Sequence, residues 1–359
     1  MKLFFEKDIL EFKHSNSILA GIIGINIVLF FIFIFSKHYP PFLMILHMLS
    51  LLVLWGLVFY GTGIFEMLQT KWKELLLIFG LILIAFFVRM YRVDEITPGM
   101  YGDEVAVAAR GLQLQALPDW LPFEGTYPFY YSHPAPLLYL TADSVDMFGH
   151  TKTAIRLPSI IFGALSIGVF YLLLRLFFPI TIAIAGGVFM IFQYSDVILS
   201  RLAYEPIPSL FFQILWAIFF ILYARTQDNR YLIGIALAIG GGLYTYYNFR
   251  TFALVVYVLT ILLILRKKWR SNLKNSLMFT VMVFVASMPF LSTAIIDPHG
   301  FWGRITDISI FGRGYSQSEF FKELWGNMYR TAILPFYGIP NSTPSFNGDP
   351  NPGKNKQNP

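Results

Sequence analysis

From residue 17 to residue 291, long apolar runs alternate with short polar or basic breaks. About nine of these runs approach the roughly 20 residues that cross a bilayer as a helix: 17–36, 42–65, 74–93, 156–177, 180–199, 206–223, 231–247, 251–265 and 276–291. The first is not read as a signal peptide, because its apolar run is too long and no small-residue cleavage site follows. Between the third and fourth runs, residues 94–155 form a long loop without a span, within which 136–148 is apolar enough to lie as a helix along the interface. Basic residues fall on every second break: Lys71 and Lys73, Arg175, Arg225 and Arg230, and the cluster 266–270. The positive-inside rule places these breaks, and the amphipathic segment 1–16, in the cytoplasm. The same parity places four polar or aromatic stretches outside: the loop holding Asp103 and Glu104, the turn 200–205, the turn 244–250, and everything after about Ser292. Scattered structural residues would divide between the two faces, so convergence on one face predicts a site there.

Composition narrows the picture. The 359 residues are 56% hydrophobic and 13% charged, about half the charge of a soluble domain. The net charge of +6 is accounted for by the cytoplasmic clusters and does not indicate nucleic acid. With no cysteine, disulfides, thiolate metal sites and cysteine nucleophiles are excluded. No phosphate-binding loop, dinucleotide fingerprint or zinc-ligand spacing occurs, and no cofactor is expected; whether a divalent metal assists is left open. Gly240, Gly241 and Gly242 lie inside an apolar run and predict close helix packing.

The candidate chemistry begins at Asp103 and Glu104. Gly102 followed by Asp103 predicts a turn and then a helix N-cap, with 105–109 as the first turns. A helix start favours negative charge, which suits a general base, although a bare capping role for Asp103 fits the same residues. His133, Arg201, Arg250 and Arg304 are candidate partners for a phosphate, arginine offering a forked donor set. Each has a plainer reading: a turn before prolines for His133, snorkelling helix ends for Arg201 and Arg250, a loop position for Arg304, and a headgroup anchor for Arg156. Glu205 precedes Pro206, so it either starts a helix or binds an acceptor. Tyr244 and Tyr246 fit an interfacial belt or a sugar-stacking surface equally.

From about residue 74 onward the chain resembles bacterial members of glycosyltransferase family 39, which includes protein O-mannosyltransferases and, more loosely, the aminoarabinose transferases of lipid A. The resemblance is carried by Asp103-Glu104, by His133-Pro134 and Pro136, by Arg156 with Pro158 and Ser159, and by Ser200-Arg201 with Glu205 following. Tyr244, Tyr246, Arg250 and the segment 297–304 complete it. It implies an all-α polytopic membrane protein with the C-type glycosyltransferase fold, about nine transmembrane helices and a site in outer-face loops with interfacial helices. It also implies a sugar donor on a polyprenyl phosphate and an acceptor that is a lipid, a glycan or a protein, with membrane lipids around and no nucleic acid. Three departures accompany it. Two spans precede the family's usual start, Glu205 stands where relatives commonly carry Asp, and the chain stops near Asn351 where relatives continue, so the family domain is expected to be cut short.

The expected organisation is an N-terminal cytoplasmic segment with two extra spans (1–73), the family 39-like membrane domain (74–340) and an irregular tail (341–359). The expected activity is inverting sugar transfer on the outer face, with Asp103 as base and Glu104 orienting it or the acceptor. The competing reading is a lipid or solute transporter or flippase. It predicts ionisable groups buried near mid-membrane and internal repeats, and neither is evident in the sequence.

Overall fold

In the computed structural model, the described residues are 15–37, 40–59, 71–96, 99–115, 129–130, 133–266, 269–298, 301 and 317–337. They form fifteen helices: α1 (Ser15–Ser36), α2 (Pro41–Phe59), α3 (Trp72–Met90), α4 (Val93–Ile96), α5 (Gly102–Gln115), α6 (Pro136–Phe148), α7 (Lys152–Arg175), α8 (Ile180–Phe192), α9 (Tyr194–Ser200), α10 (Pro206–Thr226), α11 (Asn229–Leu243), α12 (Asn248–Leu265), α13 (Trp269–Ala286), α14 (Met288–Ile296) and α15 (Gln317–Tyr337). A short antiparallel pair, β1 (Phe129–Tyr130) and β2 (His133–Pro134), leads into α6. Helix α15 belongs to a second compact unit that starts at Trp302.

Five helices among the described residues are long and apolar enough to cross a membrane, and two bent pairs raise the number to seven. This is an all-α, multi-pass membrane protein. The expected spans 180–199 and 276–291 are the bent pairs: α8–α9 turns through 57° and α13–α14 through 67°. Extended backbone at Gln193 makes the first break, and Ser287 with Pro289 at the start of α14 makes the second. Two further expected spans fail the same criterion for physical reasons. Helix α3 carries Lys73, Glu74 and Arg89, and α11 has only 15 residues. The span expected over 42–65 is helical over Pro41–Phe59, with 60–65 outside the described residues.

Helix α11 is the axis of the bundle. From Tyr231 to Gly240 every residue is buried, so this helix is covered on all sides by protein. Its glycines make the approach possible. A Cβ at Gly240 would meet Ala286 of α13, one at Gly241 would meet Phe212 of α10, and one at Gly242 would meet Phe249 of α12. Three neighbouring helices therefore pack against three successive bare backbone positions.

Two polar networks hold helices together inside this apolar frame. Asn26 of α1 donates to Ile22 O and Ser50 Oγ, both at 2.9 Å, and bonds His47 Nδ1 of α2 at 2.7 Å. Arg89 of α3 is fully buried, paired with Asp196 of α9 and donating to Ser200 Oγ at 2.9 Å. A side chain at Gly163 would strike Ser200, so glycine there lets α9 lie against α7. These buried ionisable groups were not evident from the hydropathy pattern.

Candidate functional site

The site grows from the start of α5. Its first residue is Gly102, and Tyr101 O accepts from Val105 N at 3.1 Å, so Tyr101 occupies the cap position and Asp103 does not. Glu104, third in the helix, accepts from Tyr101 N at 2.8 Å, the reach-back half of a capping box. The cap expected at Asp103 is corrected to Tyr101: the helix begins two residues earlier than the Gly-Asp pair suggests, and Glu104 reaches back from inside its first turn. Adjacent helical residues point about 100° apart, so the two acids separate: Asp103 is exposed and Glu104 is buried.

Glu104 is held on every side. Its Oε1 accepts from Arg156 Nε at 2.7 Å and from Ala203 N at 3.2 Å, and its Oε2 accepts from Arg156 Nη2 at 3.1 Å as well as from Tyr101 N. Arg156, fully buried in α7, completes its fork on Val93 O at 2.6 Å and Gly99 O at 2.9 Å. This bidentate pair fastens α4, the 99–101 segment, α5, α7 and the turn after α9 to one point. With each oxygen accepting two hydrogen bonds, Glu104 ties the start of α5 to α7 and to the turn after α9. Arg156, read from the sequence as a headgroup anchor, is instead the partner of the second acid. An arginine inside an apolar run demands such a partner, which was the available signal.

The turn 201–205 lies against the same hub. Tyr204 N donates to Ser159 Oγ of α7 at 3.1 Å. Arg201 is buried and gives Nη2 to Tyr91 O at 2.8 Å, while its Nε is buried without a hydrogen-bond partner among the described residues. Burial and then the nearby Arg156 guanidinium lower the pKa of Arg201. The Tyr204 phenol is pushed above its ordinary value, first by burial and then by Asp103, Tyr101 and Glu205. Asp103, Tyr204, Glu205 and Arg201 thus gather at one end of α5, α9 and α10. Glu205 is buried at the head of α10 without capping it by its side chain. Tyr204 was not singled out in the sequence, where it was one aromatic in a mixed turn.

The turn 244–250 has different surroundings. The Tyr244 hydroxyl accepts from Phe290 N at 2.7 Å, in the first turn of α14, where backbone donors lack helical partners. Tyr246 packs edge-on against Tyr247. The Arg250 guanidinium lies 4.2 Å from the ring centre of Phe301, 5.2 Å from that of Phe290 and 5.5 Å from that of Tyr247, and donates to Phe301 O at 2.9 Å. His133 stands in β2 and pairs through its backbone with Tyr130; its side chain, and the whole of Arg304, lie outside the described residues. Among the described residues no group of three or more His, Asp and Glu could hold a metal ion.

Beside this turn, the bundle holds a half-open cavity of about 480 Å³, bordered by α2, α6, α7, α10, α11 and the α13–α14 bend, with His47, Tyr139, Phe212 and Tyr244 in its wall. Carboxylates, guanidinium groups and tyrosines thus gather at helix ends of a multi-pass helical bundle. Residues 132–295 match the family model of dolichyl-phosphate-mannose-protein mannosyltransferases, the domain of glycosyltransferase family 39. This is a family of membrane glycosyltransferases. No curated protein and no solved structure matches the chain. The matched stretch includes Arg156, Arg201, Glu205, Tyr244 and Arg250, and begins after Asp103 and Glu104.

Proposed function

We propose that the chain transfers a sugar from a polyprenyl-phosphate donor to an acceptor hydroxyl on the outer face of the membrane, with inversion at the anomeric carbon and Asp103 as general base. The observation that carries this reading is the division of labour between the two adjacent acids. Glu104 is saturated by Arg156 and two backbone donors, whereas Asp103 is open on a helix that Glu104 holds still. In the proposed step Asp103 takes the acceptor's proton as its oxygen bonds the anomeric carbon. The bond from that carbon to the phosphate oxygen breaks, and the phosphate leaves with the electron pair. Arg201, with a buried Nε still to satisfy, is the group to meet the charge that grows on the leaving phosphate. Tyr204, kept protonated by its surroundings, offers a hydroxyl donor beside Asp103. One open carboxylate with direct displacement gives inversion, since double displacement needs a second carboxylate free to act as nucleophile.

The alternation of basic clusters supports a cytoplasmic N-terminus and an outer-face site. The test is incubation of membranes containing the chain with a panel of radiolabelled polyprenyl-phosphate sugars, followed by identification of the labelled product. The expected result is labelled product with at least one donor and none with Asp103→Asn. Equal labelling by that variant would remove Asp103 from the mechanism.

A further inference from the structure

The cavity beside Tyr244 has one wall that the matched domain does not supply. Helix α2 lines it with His47 among apolar residues, and the match begins only at residue 132. His47 lies about 9 Å along α2 from its first residue, at 1.5 Å per residue, so it stands within the bundle rather than at its surface. The hydrogen-bond network fixes which of its nitrogens carries the proton. Asn26 Nδ2 faces Ile22 O, which can only accept, so the amide cannot be turned round and Asn26 Oδ1 must face His47. Since Oδ1 also can only accept, His47 Nδ1 is the donor. Ser50 closes the set by accepting from Asn26 and donating to His47 O at 2.6 Å. The remaining nitrogen, Nε2, is therefore an acceptor with a lone pair, and it makes no hydrogen bond among the described residues.

Apart from His47, Thr245 and the hydroxyls of Tyr139 and Tyr244, the wall is apolar or aromatic, and it includes no Lys or Arg. An anionic head is thus unsuited to the cavity itself, while an apolar body with one hydrogen-bond donor suits it. The volume falls within the range of small-molecule sites.

We infer that α1 and α2 complete a binding site for a neutral lipid-like alcohol, whose hydroxyl donates to His47 Nε2 while its hydrocarbon body fills the space between α2, α6 and α10. The inference stands apart from sugar transfer and needs none to be tested. The full chain, purified into nanodiscs, is titrated with farnesol, with its saturated hydrocarbon counterpart farnesane, and with farnesyl phosphate, using displacement of labelled farnesol. Farnesol is expected to bind saturably, and farnesane about tenfold more weakly, the worth of one hydrogen bond. Farnesyl phosphate is expected to bind more weakly than farnesol. Because His47→Leu alone would strand Asn26, the double variant Asn26→Leu with His47→Leu removes both partners together. It is expected to bind farnesol and farnesane alike. Absence of saturable farnesol binding, equal affinity for farnesol and farnesane in the unaltered chain, or a preference that survives the double variant overturns the inference. So does tighter binding of the phosphate, which would make the cavity an extension of a phospholipid donor site.

Discussion

Two arginines at helix ends, Arg201 and Arg250, were equivalent in the sequence and are not equivalent in the structure. Arg201 is bonded to the Tyr91 carbonyl near a second guanidinium, with Nε buried and unsatisfied among the described residues. Arg250 is enclosed by the rings of Tyr247, Phe290 and Phe301 and is bonded to Phe301 O. A guanidinium placed over aromatic faces is stabilised by the rings themselves. The first environment is polar and leaves Arg201 Nε to be met; the second is aromatic and stabilises the guanidinium through ring faces rather than through a full set of hydrogen bonds. The turn 201–205 is built around polar demand, and the turn 244–250 is built around packing.

The largest expected effect tests the polar region at its open acid. Asp103→Asn is nearly isosteric and sits where it caps nothing, so the helix should remain. Transfer should fall by at least about 100-fold, the lower range for loss of a general base, with no change in thermal unfolding in detergent. Unchanged turnover would reduce the polar region to a structural hub.

The closed acid should respond in the opposite way. Arg156→Met leaves Glu104 charged, buried and unpaired, and breaking such a pair costs roughly 3–5 kcal/mol. A matching change at the aromatic turn, Arg250→Met, keeps an apolar side chain among rings and should cost less than half as much. Unfolding monitored by tryptophan fluorescence compares the two. Equal losses would erase the distinction between a paired and a ring-enclosed arginine.

Kinetics sharpen the same comparison. Arg201→Lys keeps the charge but loses the fork, so kcat should fall about tenfold with little change in KM for the donor. Arg250→Lys should leave kcat within about twofold, since a lysine retains part of the interaction with the rings. If Arg250→Lys is the more damaging to kcat, the phosphate belongs to the aromatic turn and the assignment reverses.

How much of this was legible follows from where the partners lie. The apolar runs gave the helices and the multi-pass class, because each span is a local property of the chain. The bends at Gln193 and near Ser287 were hidden, since a run of apolar residues reads the same whether straight or broken. The polar stretches at helix ends marked the turns 201–205 and 244–250, yet not the different surroundings of each. Glu104 and Arg156 are 52 residues apart, and no local pattern says which of two adjacent acids will find that guanidinium. The cap was misplaced by two residues, Tyr101 standing where Asp103 was expected, and that slip hid the reach-back role of Glu104 at the helix start. His47 passed unnoticed inside an apolar run, although Asn26 and His47 together, two polar residues in two successive spans, carried the signal.

A modest effect is expected at Tyr204, the residue that joins the turn 201–205 to Asp103. Burial and the neighbouring acids raise its pKa above the ordinary phenol value, so its charged form is disfavoured and the hydroxyl remains protonated throughout the neutral range. Such a group can donate a hydrogen bond but cannot serve as a base near neutrality. Tyr204→Phe removes the donor and keeps the ring. The expected loss is that of one hydrogen bond, about 0.5–1.5 kcal/mol, or a roughly two- to twelvefold fall in kcat/KM. The pH dependence should keep its shape, because a phenol held above its ordinary pKa stays protonated throughout the neutral range. A shifted or lost limb in the Phe variant would mean that Tyr204 itself moves the proton, and the base would then have to be sought in the turn rather than on α5.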